Sequence, residues 1–188
     1  MSKGISGLFK GTSGSIAQNL LLGQNLIALR VAGLDLREHP RNKALSAKKR
    51  KEISSKIQNR TATRAEYKQL SSDRRFSIRR QEGVNQFWVQ EQMRILHGLQ
   101  TTRNWSNEQR AAIIQSKRPK VNGKTVQGHH AYSASKYPHL ANQGAVIFPV
   151  TFKEHLYGWH GGNFRNSLPG QPFKQQLYYS FEEGDHRL

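Results

Sequence analysis

The chain carries eight histidines and no cysteine, and five of the eight, His129, His130, His139, His155 and His160, fall within 32 residues. Imidazole is a proton acceptor near neutral pH and a common metal ligand, so acid–base or metal chemistry is expected in this stretch. His129 and His130 come after a short β-prone run, Thr125-Val126-Gln127. Successive side chains on a strand point to opposite faces, so two neighbours cannot easily share one ion. The pair suits a division of labour, with one ligand and one general base. His155 and His160 lie five positions apart. Five residues of an ideal α-helix turn through about 500°, leaving the two roughly 140° apart. They converge on one ion only if the helix opens near Gly158 and the chain turns back through Gly161-Gly162. His139, beside Pro138, reads as a loop residue, and His39, His97 and His186 lie outside the cluster and carry no assigned chemistry.

Caps and turn residues mark the elements that must position these side chains. Residues 44–59 read as a basic helix. Thr63 with Glu66 forms a capping box, so a second helix starts near Arg64. Ser71-Ser72-Asp73 is expected to interrupt it or to start a new cap, and Gly83 and Gly98 to weaken or end its continuation. Phe87, Trp88, Met93, Ile95 and Leu96 suit a buried stripe. Ser106 with Gln109 opens a short helix that Pro119 stops. Asn122-Gly123 signals a hairpin, Thr125 to His130 a strand, and Val146-Ile147-Phe148 a second β-prone run. Thr151 with Glu154 caps a helix beginning at Phe152. The order from 121 to 160 is hairpin, strand, helix, a small ββα unit. Phe148, Tyr157, Trp159 and Phe164 read as local core. Residues 1–36 read as a linker or as one helix packed on something else; the run from Ile16 to Leu36 is too interrupted by polar residues for stable membrane insertion.

Charge separates grip from chemistry. The 188 residues carry 30 Lys and Arg against 12 Asp and Glu, a formal net charge of +18. Residues 1–120 hold 24 basic and 8 acidic residues, a net +16, whereas residues 121–188 hold 6 and 4, a net +2. A polyanion, nucleic acid first, is the partner such a field selects. The absence of cysteine excludes disulfide staples, zinc ribbons and a thiol nucleophile, so a metal would be held by His, Asn or carboxylates.

Gly128-His129-His130, then Pro149-x-Thr151-x-x-Glu154-His155, then Trp159-His160-Gly161-Gly162-Asn163, resembles the GHH-signature nuclease toxins. These belong to the HNH/endonuclease VII (His-Me finger) superfamily and form C-terminal domains of bacterial polymorphic toxins of Rhs and secretion-system type. The resemblance covers about residues 60–173. It implies an α+β fold, a basic, mainly helical N-terminal region followed by a small ββα-metal core. The implied divisions are 1–40, a linker from a larger toxin; 41–118, the basic helical region; 119–175, the finger core; and 176–188, a tail. By analogy with the colicin-type DNases, His130 is the implied general base and His129, His155 and His160 the implied metal ligands, with Asn142 and Asn163 in supporting positions. The late histidines have four intervening residues where the colicin type has three, and Asn142 lies farther ahead of His155 than in that type.

The implied activity is metal-dependent endonucleolytic hydrolysis of DNA with little sequence specificity, using one divalent ion (Mg, Mn, Zn or Ni). Arg118, Lys120 and Lys124, nearest the motif in sequence, are the expected local phosphate contacts. The implied setting is release from a larger secreted protein, action in the cytoplasm of a target bacterium, and neutralisation by a cognate immunity protein. A ribonuclease toxin and a non-catalytic basic nucleic-acid binder are the alternatives.

Overall fold

The computed structural model describes residues 16–41 and 43–173, with side chains from Leu21 onward. The expected tail at 176–188, residues 1–15 and His186 lie outside the described residues. The fold is α+β and mainly helical. Its helices are α1 (Ile16–Val31), α2 (Ala47–Gln58), α3 (Arg64–Leu96) and α4 (Asn107–Ile114). Then come short strands β1 (Lys120–Val121), β2 (Lys124–Thr125), β3 (Gln127–His130) and β4 (Ile147–Val150), and a π-helix at Glu154–Trp159.

Both halves of the Thr63/Glu66 capping box form. α3 then runs unbroken for 33 residues, about 50 Å at the α-helical rise. Ser71-Ser72-Asp73 does not interrupt it. Asp73 lies three residues beyond Leu70 on the inward stripe that continues through Val84, Phe87 and Glu91. Its buried carboxylate accepts hydrogen bonds from Leu45 N at 2.7 Å and from Arg41. The expected helix breaker is therefore an anchor for the chain entering α2. Gly83 does not weaken α3 either. A Cβ there would collide with the carbonyl oxygen of Ala141, so this glycine lets the 141–142 segment lie against the helix. Gly98, at φ 65°, does end it, as a glycine beyond a helix cap commonly does. Of the expected buried stripe, Phe87 is buried and Trp88 and Ile95 are half-buried. Met93 and Leu96 are exposed, because the inward positions are 84, 87 and 91.

The Asn122-Gly123 turn forms, with positive φ at both residues, and joins β1 to β2. That hairpin is a separate two-stranded sheet. The ladder of the ββα unit is instead β3 with β4, antiparallel, pairing Gln127 with Val150 and His130 with Ile147. The ββα unit is therefore β3, a long loop containing 3₁₀ turns at Pro138–Leu140 and Gly144–Val146, β4, and the π-helix.

The main core joins Ile27 and Val31 of α1, Val84 and Phe87 of α3, and Ala131, Val146, Ile147, Phe148, Val150 and Trp159 of the finger. Residues 16–31 are thus a packed helix and not a linker. The divisions at 40 and 118 do not separate independent cores, because α1 and α3 both supply apolar side chains that cover the small β3–β4 ladder. A two-stranded ladder alone buries too little surface to be stable. Among the described residues no helix is long and apolar enough to cross a membrane.

Candidate active site

Strand alternation sorts the residues of β3. Gln127 and His129 share one face; Gly128 and His130 share the other. A Cβ on Gly128 would lie 2.9 Å from Val84 Cγ1, so the second face lies against α3, and the Arg80 charge acts on His130 there. The first face meets the π-helix: His129 is buried, its ring 4.6 Å from that of Trp159.

The π-helix decides where His155 and His160 go. Its i→i+5 hydrogen bonding stacks residues five apart, which an α-helix would separate. The helix does not unwind at Gly158. It widens, and Gly161 and Gly162, at φ 58° and 90°, then turn the chain back. The rings of His129, His155 and His160 form a near-equilateral triangle with centroids 4.9–5.0 Å apart. One ligand nitrogen from each lies within 4.8 Å of the others. His155 Nδ1 meets Gln127 Oε1 at 2.7 Å, and His160 Nδ1 meets the carbonyl of Asn166. Both acceptors are oxygens, so Nδ1 carries the proton and Nε2 keeps the lone pair in each ring. Carbonyl partners of this kind orient metal-ligating imidazoles. Three imidazoles with two tautomers set for Nε2 ligation fit a divalent ion, with transition metals favoured over an all-oxygen Mg²⁺ site.

A buried ion pair holds this arrangement. Glu154 takes a bidentate bond from Arg103, Nη1–Oε2 2.6 Å and Nη2–Oε1 2.9 Å, and it accepts Thr151 N at 2.7 Å. Arg103 Nη1 also donates to Pro149 O at 3.0 Å. One guanidinium therefore joins the end of β4 to the start of the π-helix. Burial alone would raise the Glu154 carboxyl, but the Arg103 bonds and charge and the Thr151 bonds hold it below its ordinary value.

His130 stands apart from the triangle and faces the same cleft, a space of about 640 Å³. Its Nε2 lies 2.9 Å from Ala141 O, so Nε2–H donates and Nδ1 is left as the proton acceptor. Burial, and secondarily the positive Arg80, lower its pKa to about 4 against the opposing effect of the Ala141 bond. Burial also depresses His129 and, to about 4, His155, with neighbouring imidazoles adding to the effect.

Such a group affects stability with a definite sign. His130 titrates near 6.5 when unfolded and near 4 when folded, so the unfolded chain binds more protons between these values. Its contribution is full above about pH 6.5 and is lost as pH falls through about 4, on the order of 3 kcal/mol. Denaturation midpoints of chelator-treated protein should therefore drop across that window. His130→Gln, which can still donate to Ala141 O but does not titrate, should reduce the slope by the share of one histidine, the depressed His129 and His155 supplying the rest; equal slopes would show that His130 is not held neutral by burial.

Asn142 lies next to Ala141 and does not line the cleft. Its Oδ1 accepts Arg79 Nη2 at 3.0 Å, and the same nitrogen donates to His139 O, fixing the segment that presents the Ala141 carbonyl. Asn163 is exposed. Its Oδ1 accepts Arg165 N at 3.0 Å, shaping the turn that carries Asn166 to His160. Arg118 lines a neighbouring groove that also reaches His130. Lys120 and Lys124, on the separate hairpin, line neither space. The cationic residues on the cleft wall are Arg41, Lys43, Arg80 and Arg165, which sequence proximity to the motif missed. Arg80 had a usable signal, lying one helical turn before Val84 on the stripe that meets β3. Phe148 and Trp159 are buried as expected, but Tyr157 and Phe164 are about half exposed, and Phe164 packs at 5.1–5.2 Å from the His155 and His160 rings.

A two-stranded ladder and a helix that close three imidazoles around one point, with a fourth histidine beside them, define an α+β protein with an HNH-type metal finger. Residues 70–151 match the family described as GHH signature containing HNH/Endo VII superfamily nuclease toxin. Over these residues, less than half of the chain, the protein is similar to that nuclease-toxin family. The match includes Gly128-His129-His130 and ends before His155 and His160, whose place in the site rests on geometry. No curated protein and no solved structure matches the chain.

Proposed function

We propose that the chain is a metal-dependent endonuclease toxin that hydrolyses DNA phosphodiester bonds, with His130 as general base and His129, His155 and His160 as ligands of one divalent ion. The observation that carries the reading is the closure of the three imidazoles on one side of β3, with His130 Nδ1 directed by the Ala141 bond to remain an acceptor. His130, neutral at pH 7, takes a proton from water through Nδ1 as the oxygen attacks phosphorus. The P–O3′ bond breaks and the leaving oxygen is protonated from solvent. When bound, the ion supplies Lewis-acid stabilisation of the charge that develops on the phosphate and leaving oxygens. Arg41, Lys43, Arg80 and Arg165 draw the phosphate backbone into the cleft, with affinity that falls steeply with salt.

Delivery from a larger secreted protein into a competing bacterium, and neutralisation by an immunity protein, complete the reading; both rest on the toxin family. The test is cleavage of plasmid DNA and of RNA side by side, with each of Mg²⁺, Mn²⁺, Zn²⁺ and Ni²⁺ and with chelator. DNA cutting that chelator abolishes is expected. RNA cutting that survives chelator would make the protein a metal-independent ribonuclease, and binding without cleavage under any ion would make it a non-catalytic binder.

A further inference from the structure

Between the end of α1 and the start of α2 the chain runs beside the loop after β3. His39 N donates to Lys136 O at 2.8 Å and Arg41 N to Ser135 O at 3.1 Å, and Lys136 Nζ pairs with Glu38 at 3.0 Å. This alignment brings together three side chains that the nuclease reading does not use. One ligand nitrogen each of His39 and His139 and a carboxylate oxygen of Asp35 lie within 4.8 Å of one another. The two rings meet edge to face at 4.7 Å.

Two details separate this cluster from an ordinary surface contact. His139 places Nε2 2.8 Å from the Asp35 carbonyl, which makes Nε2–H the donor and leaves the lone pair on Nδ1. That Nδ1 is buried and has no hydrogen-bond partner, and a buried polar atom left unpaired is costly. His39 Nε2 already leans on Asp35 Oδ2 at 3.3 Å. The Asp35 carboxylate is held by Arg37, which is 81% exposed, so withdrawing that arginine into water costs little.

We propose that Asp35, His39 and His139 form a second metal site, for a borderline divalent cation such as Zn²⁺ or Ni²⁺ held by two imidazoles and a carboxylate. Nitrogen and oxygen donors of this mix suit such ions. The ion clips the segment before α2 to the 135–141 loop, two residues from the carbonyl that orients His130. The site stands independently of the finger ligands.

The experiment counts ions. Zn²⁺ alone is titrated calorimetrically into the full chain at pH 7.5, as wild type, as His155→Ala/His160→Ala, and as each of these with His39→Ala. Two ions are expected in the wild type and one in the double variant. That remaining ion should weaken by more than the roughly 10- to 100-fold that outer-shell partners are worth when exposed His39 is removed. Zinc-edge anomalous peaks in crystals should show the same loss. A double variant that binds no ion, or an ion whose affinity is unchanged by His39→Ala, overturns the proposal. If the double variant does not fold, wild type against His39→Ala decides: a fall from two ions to one supports the clip and an unchanged count rejects it. Failure of the finger reading registers separately, as equal counts in the wild type and the double variant.

Discussion

Replacing His130 by alanine is expected to lower DNA cleavage by about 10²- to 10⁴-fold, the range a positioned general base contributes, while DNA affinity stays near that of the wild type. The split arises from the two faces of β3. His130 lies on the α3 side and supplies no ligand to the imidazole triangle, so ion binding should survive its loss. The proposed phosphate grip is that of Arg41, Lys43, Arg80 and Arg165, which line the cleft and which the substitution leaves in place. Side-chain truncation also leaves the Ala141 carbonyl exposed to water that can replace the lost donor, so the loop should hold. Plasmid nicking assays beside filter binding and zinc titration read the three quantities separately. Near-normal cutting by His130→Ala would rule out this residue as the base; loss of zinc binding would show that the two faces are not independent.

Arg103→Ala should destabilise the protein by about 3–5 kcal/mol, because it removes the bidentate charged partner of a buried carboxylate. Glu154 is 3% exposed, and Arg103 is its charged partner and the tie between β4 and the π-helix. At roughly 2–4 °C per kcal/mol for a chain of this size, the melting midpoint should fall by about 10 °C. Zinc affinity should fall with it, since the π-helix carries His155 and its C-terminal cap is His160. Replacing both partners with apolar residues, Arg103→Met with Glu154→Leu, should recover much of the stability, as removal of a whole buried pair often does. An Arg103→Ala midpoint indistinguishable from that of the wild type would mean that the pair contributes little to holding the helix.

The candidate site residues are legible because chemistry constrains residue type. Histidines are scarce, and a chain without cysteine has few ways to hold a metal, so the GHH cluster stands out from residue types alone. The caps are legible for a similar reason. Thr63 and Ser106 each accept the backbone N–H three residues on, an interaction local enough to be read from spacing. Local rules fail where a distant segment supplies the deciding contact. Asp73 looks like a helix breaker until Arg41 and Leu45 satisfy it, and Gly83 looks like a weak point until Ala141 approaches it. The Asn-Gly hairpin is correctly placed by its turn residues but is not the ladder that bears the site. β3 pairs with β4 across the long loop from Ala131 to Val146, and no local signal names that partner.

The amino-acid sequence by itself determined the inventory: four histidines available for the finger, a strongly basic first two thirds, helix starts written in capping boxes, and a strand alternation that assigns His129 and His130 to opposite faces. Only the tertiary structure decided that His155 and His160 share a side. A π-helix is costly on its own, and here the bidentate Arg103–Glu154 pair and the burial of Trp159 against α1 and β4 offset that cost, contacts made by residues far apart along the chain. The same long-range packing brought Arg80 and Arg41 to the cleft wall and kept Lys120 and Lys124 off it, since charge composition fixes how much field there is and only packing fixes where it points.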